Sequence, residues 1–139
     1  MNNNETSILI VDDNPQYASL LKRIIEHLCQ GVEVSMIHEI KAAKEEIVKN
    51  PQKFQLLFVD FRFPSGETGG DLIRQLKEQD LLKDKVAILV TSEPSAENVS
   101  EAQKNGVLAV VAKPFDKEQI RIQIERAKKI LELNASESF

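Results

Sequence analysis

Short runs of Val, Ile, Leu and Phe recur along the chain between longer stretches in which apolar residues return every three or four positions. Unbroken apolar runs suit strands covered on both faces, and the longer period suits helices with one buried stripe, so the alternation predicts a parallel α/β sheet. Five strand–helix units can be placed. Ser7 to Val11 reads as the first strand, and Asp12-Asp13-Asn14-Pro15 follows it, with Asn14 able to cap a helix and Pro15 able to take its first position. That helix is expected to reach Cys29, with Tyr17, Leu20, Leu21, Ile24 and Leu28 on one stripe, before Gly31 breaks it. Val32 to Ile37 makes the second strand, and Ile40 to Asn50 the second helix, stopped by Pro51. Gln55 to Asp60 is the third strand. The stretch Phe61 to Gly70, with Pro64, Gly66, Gly69 and Gly70, has loop composition and precedes a third helix carrying Leu72, Ile73 and Leu76. Val86 to Thr91 is the fourth strand, Ser95 caps a fourth helix that stops at Asn105-Gly106, and Val107 to Ala112 is the fifth strand. A capping box of Asp116 and Gln119 opens the last helix, whose apolar face is Ile120, Ile124, Ala127 and Leu131.

These elements divide the chain into a polar tail over 1–6, one (βα)5 domain over 7–133 and a second tail over 134–139. No repeat and no second composition regime appears, so an attached output domain is not expected. With 42% hydrophobic and 29% charged residues among 139, the composition is that of a globular domain. Eighteen basic against 22 acidic residues leave a net charge of −4, and the scattered basic residues make no footprint for nucleic acid or an anionic membrane. Direct DNA binding is therefore not expected. The single cysteine, Cys29, cannot form an internal disulfide and reads as a small buried hydrophobe. The longest apolar runs, Val86 to Val90 and Val107 to Ala112, are too short to span a bilayer, which points to a cytoplasmic protein.

In parallel α/β sheets, ligands and catalytic groups gather at the carboxyl ends of the strands. Here the first strand ends at Asp12-Asp13, the third at Asp60, the fourth at Thr91-Ser92 and the fifth at Lys113-Pro114. The second ends in Ile37-His38, and His38 is read as lying at the sheet end away from the acidic group. Carboxylates about 4 Å apart repel by roughly 4 kcal/mol per pair at an effective dielectric of about 20, so three of them call for a compensating cation. Magnesium fits, because it favours oxygen ligands and keeps waters that a phosphoryl oxygen can replace. Lys113 can hold a second phosphoryl oxygen, Thr91 can donate to a third, and a carboxylate can act as nucleophile to give an acyl phosphate. Taken singly, Asp12, Asp13 and Asn14 are ordinary turn and cap residues, and Thr91 and Lys113-Pro114 are equally unremarkable. Their joint placement carries the argument, together with Asp60 at the end of an apolar run where an unpaired carboxylate is unfavourable.

Asp12-Asp13, Asp60, Thr91-Ser92 and Lys113-Pro114, each after a hydrophobic strand and in this order, resemble the response-regulator receiver domain in its stand-alone form. The resemblance covers nearly the whole chain. It implies a flavodoxin-like three-layer α/β/α sandwich with strand order 2-1-3-4-5. It also implies that Asp60 accepts a phosphoryl group from a histidine kinase or phosphotransfer protein. Asp13, Asp60 and the backbone carbonyl of Arg62 would bind magnesium directly, with Asp12 acting through bound water. Lys113 would bridge to the phosphoryl group, and Thr91 would move toward it and reshape a surface read by a separate output protein. Such a domain catalyses only its own phosphorylation and dephosphorylation, as a monomer or weak homodimer.

Two departures from the family pattern stand out. Val110 occupies the position three before the lysine where an aromatic residue is usual, and the segment from Phe61 to Gly70 is one residue longer than the common form. Arg62 and Glu93, two residues after Asp60 and Thr91, are expected to pair across the site and hinder attacking water. Phe61 and Phe63 are read as packing residues, or as a partner contact if exposed. Three other functions compete. An aspartate-nucleophile phosphatase would need Asp-x-Asp at the nucleophile strand, which neither Asp12-Asp13-Asn14 nor Asp60-Phe61-Arg62 supplies. A flavodoxin-type nucleotide binder would place Asp12 and Asp13 against its own phosphate. A phosphorylation-independent interaction module of receiver shape is the remaining alternative; the presence of all the acidic positions argues against it, and Val110 keeps it open.

Overall fold

The computed structural model describes residues 6–137, and the expected tail at 1–6 lies outside them except for Thr6, which is buried. The elements are β1 (Ser7–Val11), α1 (Pro15–Leu28), β2 (Glu33–Ile37), α2 (Ile40–Lys49), β3 (Leu56–Asp60), α3 (Gly69–Glu78), β4 (Val86–Thr91), α4 (Ala96–Lys104), β5 (Ala109–Ala112) and α5 (Lys117–Glu137). The five strands form one parallel sheet in the order β2-β1-β3-β4-β5. This is the flavodoxin-like architecture expected from the sequence. Among the described residues no helix is long and apolar enough to cross a membrane.

Side chains alternate across a strand, so each inner strand contributes to two cores. Ile8, Ile10, Leu56, Phe58, Val86, Ile88 and Val90 pack beneath α1 and α5, together with Cys29 in its expected buried place. Leu9, Val11, Leu57, Val59, Ala87 and Leu89 pack on the other face beneath α2 and α3, where α4 contributes only Ala102. The double burial explains why these strands read as continuous apolar runs.

Helix ends follow local chemistry. Asn14 accepts from the amides of Gln16 and Tyr17, with Pro15 in the first turn, and Ser95 accepts from the amide of Asn98. Asp116 and Gln119 make the expected reciprocal box. A second box, unforeseen in the sequence, starts α3, where Thr68 accepts from the Asp71 amide and Asp71 accepts from the Thr68 amide. β5 begins at Ala109 rather than Val107, because the Val107 amide closes the turn after α4 onto the Ala102 carbonyl. α5 continues to Glu137, through part of the segment expected as a tail, since neither Gly nor Pro interrupts it.

The loop after β3 is folded back on itself. Arg62 and Thr68 form an antiparallel bridge, and the Gly69 amide donates to the Phe61 carbonyl at 2.7 Å. A Cβ on Gly69 would meet the Asp60 carbonyl oxygen at 2.0 Å and Val59 Cγ1 at 2.8 Å. Glycine is therefore required by close approach to the strand end that carries Asp60. At Gly66 nothing lies within 4 Å of a would-be Cβ, and only its φ of +92° favours glycine. Gly69→Ala is expected to lower stability by at least about 2 kcal/mol through forced backbone displacement. Gly66→Ala should lower it by only about 1–2 kcal/mol through its left-handed backbone. Thermal melts of the two variants beside wild type check the order.

Candidate functional site

β1 and β3 run in constant register from Ile8 opposite Leu56 to Val11 opposite Val59. The next residues outward, Asp12 and Asp60, therefore emerge side by side with the parity of the α1–α5 face. Lys113 follows Val111 by two residues and shares that parity. Its ammonium lies 3.0 Å from Asp12 Oδ2 and 3.2 Å from Asp60 Oδ1, with all three side chains buried. Asp12 is held on every side. Its amide donates to the Ile37 carbonyl at 3.1 Å, and its Oδ1 accepts from the Asn14 amide at 2.9 Å.

One oxygen from each of Asp12, Asp13 and Asp60 can be chosen so that all lie within 4.8 Å of one another. Three carboxylates against one ammonium leave an all-oxygen, net negative group beside a cleft of about 370 Å³ that Asp13, Asp60, Arg62, Ser92 and Lys113 help to line. This donor set fits a hard divalent cation such as magnesium. Burial, reinforced by the neighbouring Asp12 charge and opposed by Lys113, pushes the Asp60 carboxyl up to about 6. In the metal-free protein, Asp60 is thus a carboxylate held short of positive charge.

Thr91 is buried and does not line the cleft; its hydroxyl accepts from the Glu93 amide at 2.9 Å. The expected pairing of Arg62 and Glu93 is present. Arg62 Nε and Nη2 reach Glu93 Oε1 and Oε2 at 3.1 and 2.8 Å. Their mutual hydrogen bonds lower the Glu93 pKa and raise that of Arg62. The Glu93 carbonyl accepts from Asn98 Nδ2 at 3.1 Å, which links the pair to the first turn of α4. Phe63 is buried and Phe61 packs against the α2–α3 core, so both are packing residues. Val110 is partly buried against the same core.

Two residues at the site escaped the sequence reading. Tyr17, read only as a stripe position, places its ring 4.3 Å from the Lys113 ammonium and 6.0 Å from the Phe115 ring. Its position one helical turn after Asp13 was the available signal. His38 is not remote from the acidic group. Because β2 is parallel to β1, its carboxyl end reaches the same edge, and His38 Nδ1 lies 2.8 Å from the Asp12 carbonyl oxygen.

The family model for the response regulator receiver domain matches residues 8–125. The chain is 31% identical to the chemotaxis protein CheY of Pseudomonas aeruginosa over 86% of its own length and 93% of that protein. It is 29% identical to the transcriptional regulatory protein ZraR of Escherichia coli, covering 91% of this chain and 27% of that one. Among solved structures, a response regulator receiver domain protein from Clostridium thermocellum superposes with a TM-score of 0.81 at 22% identity, covering 92% of this chain and 98% of that one. The Vibrio cholerae chemotaxis protein CheY4 gives 0.76 at 22% identity, with 88% and 98% covered. With its fold and acidic edge, this chain belongs to the response regulator receiver family. Members are switches of two-component signalling, controlled by phosphorylation, that work with histidine kinases and output proteins.

The raised Asp60 pKa has a consequence for stability. Below the ordinary value of 3.8 the group is protonated whether folded or unfolded; between there and about 6 the folded state holds the proton more tightly, so stability falls as pH rises. Asp60→Asn should therefore stabilise the metal-free protein by roughly 1–3 kcal/mol at pH 7, with the gain vanishing near pH 4. Denaturant melts in EDTA at the two pH values test this.

Proposed function

We propose that the chain is a magnesium-dependent phosphoacceptor whose Asp60 takes a phosphoryl group from a histidine kinase or phosphotransfer protein. The observation that carries this reading is the buried Asp60 carboxylate sharing the Lys113 ammonium with Asp12, beside the oxygens of Asp13. Asp13, Asp60 and the Arg62 backbone carbonyl would hold the magnesium ion, with Asp12 acting through bound water. The ion supplies charge neutralisation on the phosphoryl oxygens. An Asp60 carboxylate oxygen forms a bond to phosphorus, the phosphorus–nitrogen bond of the phosphohistidine breaks, and the departing imidazole takes a proton. Lys113 then trades one carboxylate partner for a phosphoryl oxygen, and the Thr91 hydroxyl turns to donate to another. Attack of water on phosphorus later restores the carboxylate and releases inorganic phosphate. The movement of Thr91 reaches α4 through Glu93 and alters a surface read by a separate output protein. The same reading puts the chain in the cytoplasm, as a monomer or weak homodimer without direct DNA contact.

Intact mass after incubation with magnesium and acetyl phosphate tests the acceptor. One added phosphoryl group is expected on wild type, none on Asp60→Asn, and none on wild type with EDTA. An unmodified wild type that also forms no fluoroberyllate complex would favour a phosphorylation-independent interaction module instead, the reading that Val110 at the usual aromatic position keeps open.

Arg62 lines the cleft and is held by Glu93, and in this reading the pair hinders approaching water. Arg62→Ala is expected to speed loss of the phosphoryl group by no more than about five-fold, because an exposed ion pair is a weak restraint. Single-turnover decay of the phosphorylated protein measures it; an unchanged rate would sink the role.

A further inference from the structure

The carboxylate of Asp13 forms no hydrogen bond or ion pair among the described residues, in contrast to Asp12 and Asp60, which share Lys113. Where Asp13 sits is therefore decided by its backbone. The pairing of β1 with β2 ends at Val11 opposite Ile37, and one more rung, from the Asp12 amide to the Ile37 carbonyl, lies beyond it. The Asp12 carbonyl lies past the end of that ladder, and His38 Nδ1 meets it at 2.8 Å. A carbonyl only accepts, so the ring nitrogen facing it carries the proton and donates. The peptide unit is planar, so a donor fixed on the Asp12 carbonyl also fixes the direction of the Asp13 amide and the origin of the Asp13 side chain. Asp13 and His38 also line one cavity, with Phe63 and Pro64 on its wall.

We infer that His38 is a positioning residue for the acidic site: by holding the peptide between Asp12 and Asp13, it aims an otherwise unsupported carboxylate at the place a metal ion would occupy. This rests on the magnesium reading above. His38 touches neither the metal nor the phosphoryl group; it acts through the Asp12–Asp13 backbone.

His38→Ala removes the donor, whereas His38→Asn keeps an N–H the same number of bonds from the backbone. Calorimetric titration of magnesium into wild type and both variants reads the effect without phosphorylation. Metal-free melts alongside show whether the ring matters to the fold. Wild type should bind magnesium, His38→Ala should bind on the order of ten-fold more weakly, at the low end for outer partners of metal ligands, and His38→Asn should recover most of the loss. Melting of the metal-free variants should change little, because the ring is exposed. Unaltered affinity in His38→Ala, or a loss that His38→Asn does not repair, would overturn the inference while leaving magnesium binding intact. A wild type that binds no magnesium would overturn both.

Discussion

The arrangement of the site depends on one ammonium group shared between two buried carboxylates. Asp12 and Asp60 reach the carboxyl edge of adjacent strands at the same height, where their repulsion and their desolvation act in the same direction. Lys113 offsets part of that penalty from a third strand, and the Tyr17 ring lies against the ammonium within cation–π distance. The compensation is incomplete, as the upward displacement of the Asp60 pKa records. A site left short of positive charge has the donor set that fits a divalent cation, which is the chemistry the proposed function calls on.

The sheet makes this arrangement exact enough to work. Constant register between β1 and β3 sets Asp12 opposite Asp60, and the period of two puts Lys113 on the same face. Thr91 has the opposite parity, is buried, and is bonded to the Glu93 amide rather than to the acidic group. Thr91 instead belongs to a small hydrogen-bonded network centred on Glu93. Glu93 touches Arg62 through its side chain, Thr91 through its amide and Asn98 through its carbonyl. Beyond that point lies α4, which has a single fully buried side chain, Ala102, and so is the least anchored of the helices with described burial.

The loop after Asp60 shows how a local constraint serves the site. Thr68 and Asp71 begin α3 with reciprocal hydrogen bonds, and the bare Cα of Gly69 lets that helix start against the Asp60 carbonyl. The bridge from Arg62 to Thr68 closes the intervening turn and presents the Arg62 side chain to Glu93. Phe61 and Phe63, at the start of that loop, both pack against the α2–α3 core.

Much was legible in the residues themselves. Doubly buried strands and striped helices have distinct periods, and caps such as Asn14, Ser95 and the Asp116–Gln119 box act within a few residues of themselves. The rule that chemistry collects at strand ends picked out Asp12, Asp13, Asp60 and Lys113, which the fold brings together, and also Thr91, which the fold buries outside the cleft. Boundaries set by non-local bonds were not legible: β5 starts late because Val107 closes the turn after α4, and the Thr68 box and the closeness of Gly69 to Asp60 depend on how the loop returns. Tyr17 and His38 were passed over for the same reason, since a stripe position and a strand end acquire partners only across the fold. The linear pattern of side chains determined the elements and the chemical types gathered at one edge. Only tertiary structure decided which of them touch, because the shared ammonium, the His38 contact and the Arg62–Glu93 pair join residues 26 to 101 positions apart in the chain.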